Sequence, residues 1–150
     1  MSYYQLKCEQ SNDYWHCKLY PQHGGTCALA EIRFELDREV IGDLNGLIPD
    51  DGTSAILEVV MRDNVCDRDK NVKNVALLLI CNVVEKLHKQ GIRVIFLFAL
   101  HDKLISLYRD IGFQSVPNMN PANMIASTAT ILSVCKQRNA PKLSITLNEP

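Results

Sequence analysis

The sequence predicts a mixed α/β fold: an N-terminal β-hairpin, then alternating strand–helix units, with helices packed on a mixed sheet. Three observations predict it. Period-two alternation flanks Ser11-Asn12-Asp13, a turn signal. The run Ile92–Leu100 (IRVIFLFAL) is apolar throughout, as strands buried on both faces are. Stretches of 3.6-residue periodicity close on Gly91 and Gly112, as helices do.

In the hairpin, Tyr4, Leu6 and Cys8 share one face, and so do Trp15, Cys17 and Leu19. Folding about the turn sets Cys8 opposite Cys17 on the core face. Pro21–Gly25 is a loop and Thr26 a candidate cap. Leu29, Ile32, Leu36, Val40 and Leu44 then recur as a helical stripe, although Ile32–Leu36 also alternates. Leu47–Gly52 breaks that segment. Ala55–Met61 reads as a buried strand and residues 62–70 as a charged loop. Residues 71–90 are the strongest helix. After Ile92–Leu100 come a helix over His101–Ile111, a short strand over Phe113–Val116, and a helix from Asn120-Pro121 to about Arg138. The tail, Lys142–Leu147, alternates weakly and stays unassigned. Without repeat, linker or low-complexity segment, residues 1–150 read as one domain.

Composition narrows the function classes. Of 150 residues, 47% are hydrophobic, and 16 basic residues stand against 17 acidic ones. With a net charge of −1 there is no basic excess to release counterions from nucleic acid or an anionic membrane. No apolar run approaches the roughly 20 residues that span a bilayer, and MSYYQLKCEQ has no signal-peptide pattern. The expected location is cytoplasmic, with all six cysteines (8, 17, 27, 66, 81, 135) reduced.

Candidate chemistry is sparse. His16, Cys17, His23 and Cys27 are the only cluster with metal-ligand character. His16 and Cys17 point to opposite faces of a strand, so no metal site is expected. There is no G-x-S-x-G and no H-E-x-x-H. His23-Gly24-Gly25 reads as a connecting loop, with an oxyanion element as the sharper alternative. The helix at 71–90 is apolar around its whole circumference from Val75 to Cys81, so a second cover beyond the sheet is required. That cover is a partner or a second copy, or else another part of the chain.

Three stretches resemble the STAS domain (sulfate transporter and anti-sigma factor antagonist). They are Phe34-Glu35-Leu36-Asp37 running into Val40 and Leu44, then Ile56–Met61, then Gly91–Leu97 with Leu104, Leu107 and Gly112-Phe113. The resemblance spans about residues 3–136. It implies a non-catalytic protein-interaction and regulatory domain without a cofactor. The family's phospho-acceptor serine is missing, because no Ser or Thr lies between Ser54 and Ser106. The implied partner surface comprises Asp69, Lys70, Asn71, Lys73 and Asn74, with Leu77 and Cys81 on the outward helix face.

Leu107-Tyr108-Arg109-Asp110-Ile111-Gly112-Phe113 instead resembles the late tyrosine-to-Gly-Phe motif of GNAT acetyltransferases. This second resemblance implies acetyl-CoA as cofactor, Tyr108 as general acid and Glu58 as base. It also implies pyrophosphate contacts from Arg68, Asn71 and Lys73. Asn71 and Lys73 stand where that family places small residues, and their side chains obstruct close backbone approach. The N-terminal half also lacks the family's early strand with two helices followed by three consecutive strands. The STAS-like docking module is the preferred expectation and the acetyltransferase its alternative.

Overall fold

A computed structural model describes residues 4–22, 27–36, 53–63 and 74–148. Among these residues, eight strands form one sheet in the order β6-β7-β5-β4-β3-β2-β1-β8. The hairpin forms as expected: β1 (Tyr4–Gln10) pairs antiparallel with β2 (Tyr14–Pro21), and Cys8 stands opposite Cys17. Ser11 Oγ accepts from the Asp13 and Tyr14 amides and so shapes the turn.

The stripe beginning at Leu29 does not make a helix where it is described. Ala30–Glu35 is strand β3, antiparallel to both β2 and β4 (Thr53–Arg62). Ala30, Ile32 and Phe34 are buried, whereas Glu31, Arg33 and Glu35 are half-buried. Period-two burial between two partner strands outweighed the weaker 3.6-residue pattern. Val40, Leu44 and the Leu47–Gly52 breaker lie outside the described residues.

Helix α1 (Val75–Lys89) follows β4 and leads into β5 (Ile92–Phe98), which is parallel to β4. Its last turn carries Lys86, His88 and Lys89 against the carbonyl end of the dipole, and Gly91 takes φ 96° beyond it. Helix α2 (Asp102–Ile111) ends at Gly112, φ 115°. The two-residue β6 (Gln114–Ser115) and β7 (Asn123–Ser127) come next.

The helix expected to begin at Asn120-Pro121 starts later. Asn120 instead closes a turn, with its Oδ1 accepting from the Ala122 amide and its carbonyl from the Asn123 amide. Met124 and Ile125 belong to β7, antiparallel to β5. Helix α3 (Thr128–Gln137) is capped by Ser127, whose Oγ accepts from the Thr130 amide at 3.0 Å. The unassigned tail becomes β8 (Ser144–Asn148), parallel to β1.

The main core lies on one face of the sheet, beneath α1 and α3. It holds Leu6, Trp15, Leu19, Ile32, Phe34, Leu57, Ile95 and Leu97 from the strands, and Leu79, Ile80, Val83, Val84 and Leu87 from α1. Trp15 is buried and its Nε1–H donates to Gln90 Oε1, tying the hairpin to the end of α1. Asn82, buried within α1, donates to the Leu78 and Pro141 carbonyls and accepts from the Leu143 amide. That clasp leads the chain from α3 towards β8.

The cysteines depart from the reduced state expected of them. Cys8 bonds Cys17, Cys81 bonds Cys135 across α1 and α3, and Cys27 is also disulfide-bonded. Cys8 and Cys17 are directly opposed core-face residues with Cα atoms 4.0 Å apart. Compartment aside, the alternation itself places these thiols within bonding reach.

The α1–α3 bond closes a sequence separation of 54, against 9 in the hairpin. By loop-closure entropy the first is worth about 4 kcal/mol and the second roughly 3 kcal/mol. Chemical denaturation of Cys81→Ala/Cys135→Ala should therefore show the larger loss, and Cys8→Ala/Cys17→Ala the smaller one.

Candidate functional site

The sheet is interrupted in its middle. β4 and β5 pair in parallel only as far as Leu57↔Leu97, yet β4 runs on to Arg62, still paired with β3 through Arg62↔Ala30. Beyond Phe98 the other strand turns towards β7, and the Ala99 amide donates to the Ala122 carbonyl at 2.8 Å. From Glu58 to Met61, no described strand lies beside the β4 edge that should meet β5. A notch opens between two parallel strands at their carboxyl ends, where open α/β sheets take ligands.

The cause is a β-bulge. Arg33 pairs with Val59 and Phe34 with Leu57, leaving Glu58 as the extra residue on β4. A bulge bends its strand and increases its local twist, which carries β4 away from β5. Glu58 itself projects to the face opposite α1, where Arg33 Nε donates to Glu58 Oε2 at 2.9 Å. The Arg33 guanidinium lies over the Tyr14 ring, 4.5 Å from its centroid.

Helix α1 begins at this end of the sheet, because its other end delivers the chain to Ile92, opposite Thr53. Asn74 caps it in the left-handed region, φ 53°, without a side-chain hydrogen bond, and its first turn holds no acidic residue. Asn74 thus gives the first amides of α1 no side-chain acceptor at their positive end.

Tyr108 lies on α2, which leaves β5 at the same end. The Phe113 amide bonds the Tyr108 carbonyl at 3.0 Å. Gln114 pairs with Ile125, which pairs with Phe96, one residue short of the last β4–β5 pair. The Tyr108 ring is buried and meets Phe113 edge-on at 5.7 Å. Burial pushes its hydroxyl above the ordinary 10.0, and no described residue hydrogen-bonds it. Gly112 permits this packing twice over: its φ is left-handed, and a Cβ there would stand 3.2 Å from Thr130 Cγ2. The rim of the notch is apolar, with Phe98 and Met61 each 53% exposed and Leu100 81%.

A second cleft, about 590 Å³, opens at the other end of β5 between His88, Arg93, Gln114 and the start of α3. Its polar groups satisfy one another. Buried Thr128 donates to the Ile92 carbonyl at 3.0 Å, so His88 Nδ1 donates to Thr128 Oγ1 at 2.7 Å.

Of the residues the sequence proposed, Glu58 lies on the bulge beside the notch, and Tyr108 is buried on α2 within the core, its ring against Phe113. Arg68, Asp69, Lys70, Asn71 and Lys73 lie outside the described residues, as does His23-Gly24-Gly25. Asn74 is the exposed cap of α1. Leu77 and Cys81 present no outward face, being 7% and 6% exposed. Helix α3 packs along α1 and supplies the second cover that the helix requires. Arg33, Tyr14 and Phe98 were not singled out, although the alternation through Ile32–Leu36 already placed Arg33 opposite the core.

No protein-family model matches the chain, and no curated protein matches it. Solved structures do. The complex of AtaT and AtaR bound to DNA aligns at 16% identity and a TM-score of 0.57, over 79% of this chain and 70% of that one. FeeM, an N-acyl amino acid synthase from uncultured soil microbes, aligns at 14% and 0.57, over 78% and 69%. The PaiA N-acetyltransferase of Thermoplasma acidophilum, in complex with coenzyme A, aligns at 14% and 0.50, over 77% and 60%. The chain shares its fold with the GNAT acetyltransferases.

This overturns the STAS resemblance. The expectations of a non-catalytic regulatory domain without a cofactor go with it. Phe34-Glu35 ends strand β3, and the unit from Gly91 to Phe113 closes on antiparallel β7. That strand–helix–glycine unit occurs in many α/β folds and carried the mistaken match. No described helix is long and apolar enough to cross a membrane.

Because its hydroxyl is desolvated, folding holds the Tyr108 proton more tightly than the unfolded chain does. The associated stability is full below about pH 10 and is lost as pH rises through the folded-state value. Tyr108→Phe should flatten the fall in thermal stability above about pH 10. At pH 7 it should stay within about 0.5 kcal/mol of wild type, since no hydrogen bond is lost.

Proposed function

We propose that the protein is an acyl-CoA-dependent N-acyltransferase whose reaction takes place in the notch between β4 and β5. The observation that carries this reading is the parallel pairing that stops at Leu57↔Leu97 while β4 continues to Arg62. A strand edge that no described strand pairs, Glu58 to Met61, offers backbone donors and acceptors to an extended, amide-bearing ligand. The pantetheine arm of coenzyme A is such a ligand. The first amides of α1, which the Asn74 side chain does not cap and which have no acidic neighbour in the first turn, suit its pyrophosphate. Arg68, Lys70 and Lys73 supply positive charge in the preceding segment, and Asn71 takes the place of a small residue there.

Bound acyl-CoA supplies a thioester, from which the acyl carbon passes to an amine nitrogen as its C–S bond breaks and a C–N bond forms. Glu58 takes the proton that the amine gives up. Its position on the bulge puts the carboxylate beside the notch, and Arg33 holds its orientation. Tyr108, whose phenol is protonated at neutral pH, donates its proton to the departing sulfur. The disulfides suit an oxidising compartment better than the cytoplasm.

Thiol release from acetyl-CoA, followed with a panel of amines, tests the reading. Glu58→Gln and Tyr108→Phe should each lower turnover by about 10²–10⁴-fold, with coenzyme A affinity retained. A wild-type chain that neither binds coenzyme A in calorimetry nor releases thiol with any amine sinks the proposal.

A further inference from the structure

The ion pair beside the notch is only half used. Arginine and carboxylate commonly meet in a two-point fork. Here one bond is made, from Arg33 Nε to Glu58 Oε2, and the Tyr14 ring holds one face of the guanidinium. Neither Arg33 Nη nor Glu58 Oε1 hydrogen-bonds a described residue. Both side chains remain about one-third exposed. What is left over is a two-nitrogen donor edge next to a single acceptor oxygen, fixed to one another by the existing bond.

A donor edge of that kind takes a carboxylate, and the oxygen takes an ammonium. A ligand presenting both a carbon apart is an α-amino acid. Phe98 adds the third point. It and Glu58 each stand one residue beyond Leu57↔Leu97, on the face away from α1, and its ring is 53% exposed.

We infer that Arg33, Glu58 and Phe98 form an acceptor subsite for a free α-amino acid with an apolar side chain. Arg33 takes its carboxylate, Glu58 its ammonium and Phe98 its side chain. The inference rests on the acyltransferase reading of the notch and adds the class of acceptor. A polyamine or a protein lysine leaves Arg33 with no anion to bind. A peptide N-terminus has its carboxylate turned into an amide.

Calorimetry on the full chain at neutral pH tests it with phenylalanine, phenethylamine and 3-phenylpropionate, alongside coenzyme A. Phenylalanine should bind roughly ten- to hundredfold more tightly than either fragment, each of which lacks one charge-assisted contact. Arg33→Gln should make phenylalanine and phenethylamine equal. Arg33→Lys, which retains the charge without the fork, should recover part of the difference. Melting curves confirm that each variant is folded.

Equal binding of phenylalanine and phenethylamine by the wild type overturns the inference. So does the absence of any binding among the three while coenzyme A still binds, in which case the acyltransferase reading stands alone. Phenylalanine binding without coenzyme A binding supports the subsite and defeats the acyltransferase reading.

Discussion

The notch exists because the backbone of β4 cannot satisfy two neighbours at once beyond Leu57. One extra residue, Glu58, keeps β4 in register with β3 on one side and turns it away from β5 on the other. A continuous sheet would pair every amide and carbonyl along this edge and leave no room between strands. The bulge gives up those bonds for an opening in the middle of an otherwise closed sheet, where a bound molecule can supply them. It also puts the carboxylate of Glu58 on the opposite face from the core, within reach of Arg33. Local geometry, access and side-chain placement thus follow from one inserted residue.

The rest of the molecule keeps that opening from collapsing. On the core face, α1 covers the strands on both sides of it and is itself held by α3. The Asn82 clasp and the Cys81–Cys135 bond fasten the C-terminal third of the chain to α1. Trp15 and Gln90 do the same for the hairpin at the other end of α1. Helix α1 is therefore braced along its length, and its unusual apolar circumference is spent entirely inside the protein.

Much of this architecture was legible in the sequence. The hairpin, Ala55–Met61, the helix ending at Gly91 and the unit from Ile92 to Gly112 each follow from periodicity closed by a breaker. Two segments misled for one physical reason. Leu29–Leu44 and Met124–Leu132 both carry apolar residues at helical spacing, but their first halves lie between partner strands, and pairing from elsewhere in the chain is invisible to a local pattern. The proposed site was half legible. Tyr108 and Glu58 were named through the tyrosine-to-Gly-Phe stretch. Arg33 belonged to the misread segment, and Phe98 looked like one more residue of an apolar strand. A bulge has no signature in a single sequence, so the notch could not be seen before the register of β3 on β4 was known.

The last strand has a mechanical consequence. β8 lies parallel to β1 along the sheet edge, from Gln5↔Ser144 to Glu9↔Asn148. Tension applied between the start of β1 and the end of β8 pulls these strands lengthwise past one another. Their cross-strand hydrogen bonds then share the load and must give way together, instead of opening one at a time as in a peeled hairpin. Along this axis the domain is a shear clamp, and the hairpin behind β1 is cross-linked by Cys8–Cys17. Stretched by its ends, it should resist far better than its size suggests.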